Sequence, residues 1–288
     1  MTASLHLRAA LAVALTSLVL VSPAQAAGRA AVAALQVALR HRHVYRGPVD
    51  GLIGPRTRKA LRRFQRRHGL VPDGIAGPRT RRAFGRFARH LLGTRELAPG
   101  LSGWDVAELQ FALAWHGFPS GTIDGAFGLQ TESALLRFQR WAGLPDLGIA
   151  GRSTLRALRS PLPRCPISLA WPLQAPVGSP FGSRGTGFHP GLDLPAPSGT
   201  PVAAAASGRV VFAAFDPGGY GNLVELKHRH GVLTMYAHLS AITVAVGSRI
   251  RVGARVGRVG ATGEATGPHL HFEVRVRGAA VNPLPALQ

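Results

Sequence analysis

The order of apolar and polar positions changes character along the chain. Arg8 precedes an apolar run from Ala9 to Val21, then Ser22-Pro23 and the small-residue triplet Ala24-Gln25-Ala26. A basic start, an apolar middle and an A-x-A end predict a secretory leader over residues 1–26, since the run falls short of the roughly 20 residues of a membrane span. Beyond it the pattern turns helical. Gly54-Pro55 puts proline at a first helical position, and Ala60, Leu61, Phe64 and His68 follow at helical spacing between arginines. Gly69-Leu70 reads as the cap that ends this helix. Ala30 to His41 predicts a preceding helix, and Gly77-Pro78 opens a third that leads into Thr80 to His90.

The same pattern recurs without gaps. Leu35-Gln36 returns as Leu109-Gln110, Asp50-Gly51 as Asp124-Gly125, Phe64-Gln65 as Phe138-Gln139, and Gly74-Ile75-Ala76-Gly77 as Gly148-Ile149-Ala150-Gly151, always 74 positions on. Two copies of this size predict tandem three-helix units over residues 28–95 and 101–160. The second copy departs at Leu129, in place of Pro55, and at Leu147, in place of Asp73. Pro161, Pro163, Pro166 and Pro172 then suggest a semi-rigid linker over 161–176. From 177 to 288 short Val-rich runs alternate with Gly and Pro: 208–215, 222–228, 232–239, 256–261 and 269–276. That rhythm predicts an all-β antiparallel domain. The expected fold is therefore multidomain, two small all-α bundles followed by an all-β unit.

Composition narrows the partners. The formal charge of +21 asks for a polyanionic neighbour, whether nucleic acid, anionic lipid or acidic wall polymer. The charge is uneven: residues 28–95 carry seventeen Lys and Arg against Asp50 and Asp73. An exported chain has little occasion to meet nucleic acid, and no clear stacking aromatics accompany the arginines. Cys165 is the only cysteine, so no intrachain disulfide can form.

Three patches of the β domain hold metal-ligand and acid–base residues: Phe188-His189-Pro190-Gly191-Leu192-Asp193, Tyr236-Ala237-His238-Leu239-Ser240, and Gly267-Pro268-His269-Leu270-His271-Phe272-Glu273. Pro190-Gly191 argues against a helix, so His189 and Asp193 should converge through a turn. In a strand His269, His271, Glu273 and Arg275 share one face while Leu270, Phe272, Val274 and Val276 share the other. Two imidazoles would then stand about 7 Å apart on that face.

The repeat pattern L-Q…D-G…T…F-Q…G-L…G-I-A-G resembles the small peptidoglycan-binding domain. Residues from about 178 to 282, with F-G-x-R, H-x-G-x-D, G-Y-G-N, Y-A-H-L-S and T-G-P-H-L-H-F-E, resemble the lysostaphin/LytM-type zinc endopeptidases, the M23 family. The resemblance implies His189, Asp193 and His271 as ligands of one Zn2+ per chain, with His238 and His269 as catalytic histidines. His228 also matches a recurrent family histidine, without an assigned role. It further implies a secreted, cell-wall or periplasmic hydrolase of peptidoglycan cross-links. No stable membrane insertion is expected after leader cleavage, and a monomer is favoured. A non-catalytic activator of other wall hydrolases is the alternative. The loop Ala261-Thr262-Gly263-Glu264-Ala265-Thr266-Gly267 departs from the family's S-T-G-x-S-T-G. The choice between stem-to-stem and glycine-bridge cross-links stays open.

Overall fold

The computed structural model describes residues 23–288, so the leader expected over 1–26 falls almost wholly outside the described residues. The first repeat is built from α1 (Pro23–His41), α2 (Pro55–Arg67) and α3 (Pro78–Ala83), the second from α4 (Trp104–Trp115), α5 (Leu129–Trp141) and α6 (Arg152–Ala157). No helix among the described residues is long and apolar enough to cross a membrane.

Each helix follows from its local sequence. In α2, Thr57, Ala60, Leu61, Phe64 and Gln65 are buried, while the arginines between them face outward. It ends where Leu70 N–H reaches Gln65 O and Gly69 N–H reaches Arg66 O, with Gly69 at φ +65°. That paired bonding satisfies carbonyls the helix would otherwise leave open. The third helix is shorter than its sequence suggests. Gly85, two residues past its end, takes φ +69°, and the remaining turn, Gly85–Ala88, is 3₁₀. The break lets Phe84 stack on Phe64, ring centroids 4.0 Å apart.

The repeat motif proves to be a clasp. Gln36 Nε2 donates to Asp50 Oδ1 at 2.7 Å and to Leu52 O, while its Oε1 accepts from the Asp50 and Gly51 amides. Gln110 makes the same bonds to Asp124, Ala126 and Gly125. A second clasp within each copy joins Gln65 to Asp73, Ile75 and Thr80, and Gln139 to Ile149 and Thr154. Leu147 therefore costs the second copy two polar contacts, those that Asp73 makes with Gln65 and the Ile75 amide, and not its fold.

The β domain comprises β1 (Gly182–Arg184), β2 (Gly187–His189), β3 (Leu192–Pro195), β4 (Pro201–Ala203), β5 (Gly208–Asp216), β6 (Gly221–Lys227), β7 (Val232–Ala237), β8 (Ala241–Ile242), β9 (Arg249–Ile250), β10 (Arg255–Arg258), β11 (His269–Val276) and β12 (Ala279–Val281). The main sheet runs β12-β11-β7-β6-β5-β9, with β3 paired to the first half of β11. A small sheet, β4-β10-β8, packs on it, and β1 and β2 form a separate hairpin. The core between the layers includes Leu192, Leu194, Val224, Leu226, Tyr236, Leu270, Phe272 and Val274. Each large apolar side chain so buried contributes roughly 1.5–3 kcal/mol. Ile167, Leu169 and Leu173, from the proline-studded stretch, are buried in this same core. That part of the expected linker is pinned down.

The three units pack into one another. One apolar cluster joins Leu35, Leu39, Leu61 and Phe64 of the first repeat to Trp104, Ala107, Phe111 and Ile123 of the second. Another joins the second repeat to Ala279 of β12, where Ala280 N–H donates to Gly117 O and the Arg277 guanidinium lies 5.5 Å over the Trp141 ring.

Candidate metal centre

β3 and β11 run antiparallel with Asp193 opposite His271, and β7 on the other side sets Ala237 opposite His271. That register brings three distant sequence patches to one place. His189 closes β2 and turns through Pro190-Gly191 into β3, so it reaches Asp193 through a turn as expected. Gly191 has no room for a side chain: a Cβ there would stand 2.5 Å from Phe272 O.

Three ligand-type atoms converge. His271 Nδ1 lies 2.8 Å from Asp193 Oδ1, His189 Nε2 lies 3.0 Å from the same oxygen, and the two ring nitrogens are 3.1 Å apart. Each imidazole is oriented by a bond on its far side. His189 Nδ1 faces Pro180 O at 2.9 Å, and His271 Nε2 faces Glu273 Oε1 at 3.0 Å. With those nitrogens donating, the lone pairs of His189 Nε2 and His271 Nδ1 both point at the Asp193 carboxylate. Three such acceptors in contact repel unless a cation, a proton or a metal ion, sits among them. Two imidazoles and one carboxylate are a donor set that suits catalytic zinc and leaves a coordination position for water. Tetrahedral ligands about 2.0–2.1 Å from such an ion stand ~3.3 Å apart, close to the observed spacing. The residues fit the metal.

His238 and His269 stand beside this set, ring centroids 4.8 Å apart. His238 Nδ1 is held by Thr262 O and His269 Nδ1 by Gly267 O, both at 2.8 Å. In the neutral tautomers those bonds require, Nε2 of each ring carries a lone pair. His269 Nε2 lies 3.6 Å from Asp193 Oδ1. His238 also adopts φ +61°, a left-handed backbone that is uncommon away from glycine. All five residues line one groove of about 520 Å³, with Arg184 and Glu264 among the exposed groups around it.

The electrostatics follow from burial and pairing. Burial alone would raise Asp193, but where protons and not a metal occupy the cluster, the hydrogen bonds from His189 and His271 outweigh it and hold the carboxyl well below the usual carboxylate range. Burial would likewise lower His271, yet its bonds to Asp193 and Glu273 bring it up to about 9. Burial lowers His238. Behind the ligands lies a buried network that the motif reading left without roles. Glu273 is fully buried and receives His271, Tyr220 Oη at 2.7 Å and Arg275 Nε at 2.9 Å. Those partners overcome burial and hold Glu273 at about 2. On the open side, Arg184 bonds Asp193 Oδ2 at 2.8 Å. The alternation of β11 carried the signal for Glu273 and Arg275, which share the histidine face.

His228 stands apart from this centre. It is buried, with Nδ1 on Ser207 O and Nε2 on Thr234 Oγ1, and it ties the end of β6 to its neighbours. Cys165 is partly buried, its thiol pushed up by burial, and its Sγ bonds Ile167 O.

Comparison with known proteins assigns both kinds of unit to families. The Peptidase family M23 profile matches residues 187–283, and the profile described as "Putative peptidoglycan binding domain" matches residues 28–84 and 102–158. The chain is 48% identical over 114 residues to the DD-carboxypeptidase/endopeptidase Mpg of Neisseria meningitidis, covering 38% of this chain and 26% of that protein. It is 38% identical over 120 residues to the murein hydrolase activator NlpD of Escherichia coli, covering 41% of this chain and 31% of that one. The chain thus spans about a quarter to a third of the length of these curated relatives. Among solved structures, the catalytic domain of lysostaphin from Staphylococcus simulans is 35% identical, covering 38% of this chain and 90% of that domain, with a TM-score of 0.37. By its β domain the chain belongs to peptidase family M23, and two peptidoglycan binding domains precede that domain.

Proposed function

We propose that this protein is a zinc-dependent endopeptidase that hydrolyses peptide cross-links in peptidoglycan and acts in the cell envelope or outside it. One observation carries the reading: His189, Asp193 and His271 bring three ligand-type atoms together, with two further imidazoles on the same groove. His189 Nε2, Asp193 Oδ1 and His271 Nδ1 would hold the zinc ion. When bound, zinc supplies an acidified water and polarises the scissile carbonyl.

The remaining work falls to this chain's own side chains. His238 and His269, anchored through Nδ1, present Nε2 as proton acceptors; burial keeps His238 neutral at neutral pH. One accepts a proton as the peptide bond is attacked, and either then donates to the leaving amine or stabilises the oxyanion. Glu273 and Pro180 O fix the ligand tautomers, and Arg184 steadies the outer oxygen of Asp193. The two repeats serve as wall-binding modules, the first adding attraction to anionic polymers through its arginines.

A second reading, a non-catalytic activator of other wall hydrolases, draws support from the similarity to NlpD. Incubating the zinc-loaded protein with stem-linked and glycine-bridged muropeptides, and weighing the products, separates the two. Cleavage of either substrate that is lost in His271→Ala and on chelation is expected. Cleavage untouched by both treatments would overturn the zinc mechanism, and absence of cleavage with zinc bound would favour the activator.

A further inference from the structure

The β1–β2 hairpin stands beside the metal centre as a separate two-stranded sheet. It carries Arg184 and ends in His189, yet it belongs to neither of the larger sheets. A lone two-stranded hairpin is marginally stable at best in water. Beyond the bonds of Arg184 and His189 to the metal-centre residues, much of its support comes from outside the β domain. The Val49 amide, in the first repeat, donates to Gly185 O at 2.7 Å, and the Ile123 amide, in the second, donates to Thr186 O at 2.7 Å. Gly185 and Thr186 are the two residues of the hairpin tip, between β1 and β2. Val49 and Ile123 are the same position of the repeat, 74 residues apart. Equivalent turns of the two copies thus hold neighbouring carbonyls of one tip.

Trp115, the last residue of α4, braces the root of the hairpin. Its ring meets Phe188 edge-on at 5.4 Å and Phe181 at 6.4 Å, and those two rings meet each other at 5.0 Å. Gly182 lies close enough to the indole that a Cβ there would stand 3.5 Å from it. The Arg29 guanidinium lies 5.7 Å over the same indole. A pure tether to the wall would need none of these contacts.

We propose that the two repeats act as a clamp on the β1–β2 hairpin, with Trp115 a positioning residue that fixes His189 and Arg184 at the metal centre. This rests on the metal-centre reading above and gives the repeats a second role within the catalytic unit. The buried indole N–H of Trp115 makes no hydrogen bond, so a phenylalanine there keeps aromatic packing and forfeits no polar contact.

The test uses the full chain and zinc alone. Zinc affinity, read by competition with a chromogenic chelator, should fall about tenfold in Trp115→Ala, the scale on which loss of an outer support weakens a metal site. Trp115→Phe should restore most of it. Hydrogen exchange on the unmodified chain supplies an arm that needs no variant: the Val49 and Ile123 amides should exchange far more slowly than the other turn amides around them. A folded Trp115→Ala that binds zinc as tightly as the unmodified chain overturns the proposal, as do Val49 and Ile123 amides that exchange like free turn amides. Failure of the unmodified chain to bind zinc would instead strike the metal-centre reading, and the exchange measurement still decides the clamp.

Discussion

At the residue scale the proposed ligands depend on what stands behind them. Glu273, itself fully buried, accepts from His271, Tyr220 and Arg275, so its charge both orients the imidazole and offsets a partly buried guanidinium. Glu273→Gln keeps an acceptor for His271 Nε2 but removes the charge. Zinc affinity measured by chelator competition should then fall about 10-fold or more. Glu273→Ala leaves the partly buried Arg275 without its carboxylate partner and His271 Nε2 without an acceptor, and should cost roughly 1–3 kcal/mol in denaturant unfolding. If both variants match the parent in affinity and stability, the network has no supporting role. The ligand-type residues were legible in the sequence because two short motifs carry them, His189 with Asp193 in one and His271 in the other. The left-handed backbone of His238 was not, since no glycine or asparagine advertises it, and the histidine is held there by Tyr220 O and Thr262 O.

At the scale of elements, periodicity identified the long strands and helices and missed the short ones. The H-x-H alternation anticipated β11, whose histidine face meets Asp193 while Phe272 and Val274 enter the core. Strands β1 to β4 span three or four residues each, too few for a period to show, although they position His189 and Asp193. The glutamines of the repeats were visible as a recurring pair without any chemistry attached; only the fold shows that each satisfies a turn's backbone. Gln36→Ala would strip the acceptor from the Asp50 amide and from the buried Gly51 amide. Each group left unpaired costs ~1–3 kcal/mol, so the guanidinium unfolding midpoint should drop clearly. An unchanged midpoint would mean that water replaces the clasp.

At the scale of the whole molecule, the repeats and the β domain share packed surfaces instead of hanging on a linker. Sequence patterns report on single elements, so the docking of Trp115, Gly117 and Trp141 against the β domain could not be read from them. Gly117 shows how close the approach is: a Cβ there would stand 2.2 Å from Ala280 O, and the residue takes φ +88°. Near this contact His116 is buried, and burial holds its pKa below the ordinary imidazole value. The unfolded chain therefore binds a proton more readily between that lowered value and about 6.5. The contribution of His116 to stability is fully present above about pH 6.5 and is lost as pH falls toward the folded value. His271, raised in the metal-free chain, works in the opposite sense on its alkaline side. His116→Gln should thus flatten the decline in melting temperature between pH 7 and pH 5 relative to the parent, and an identical decline would contradict the assignment.

The metal content of the purified chain, set beside that of His271→Ala with helix and strand content verified by circular dichroism, tests the central claim most directly. The account predicts one tightly held zinc ion in the parent and a folded variant that fails to retain it. A parent that remains metal-free in excess zinc, or a variant that holds the ion equally well, would contradict it.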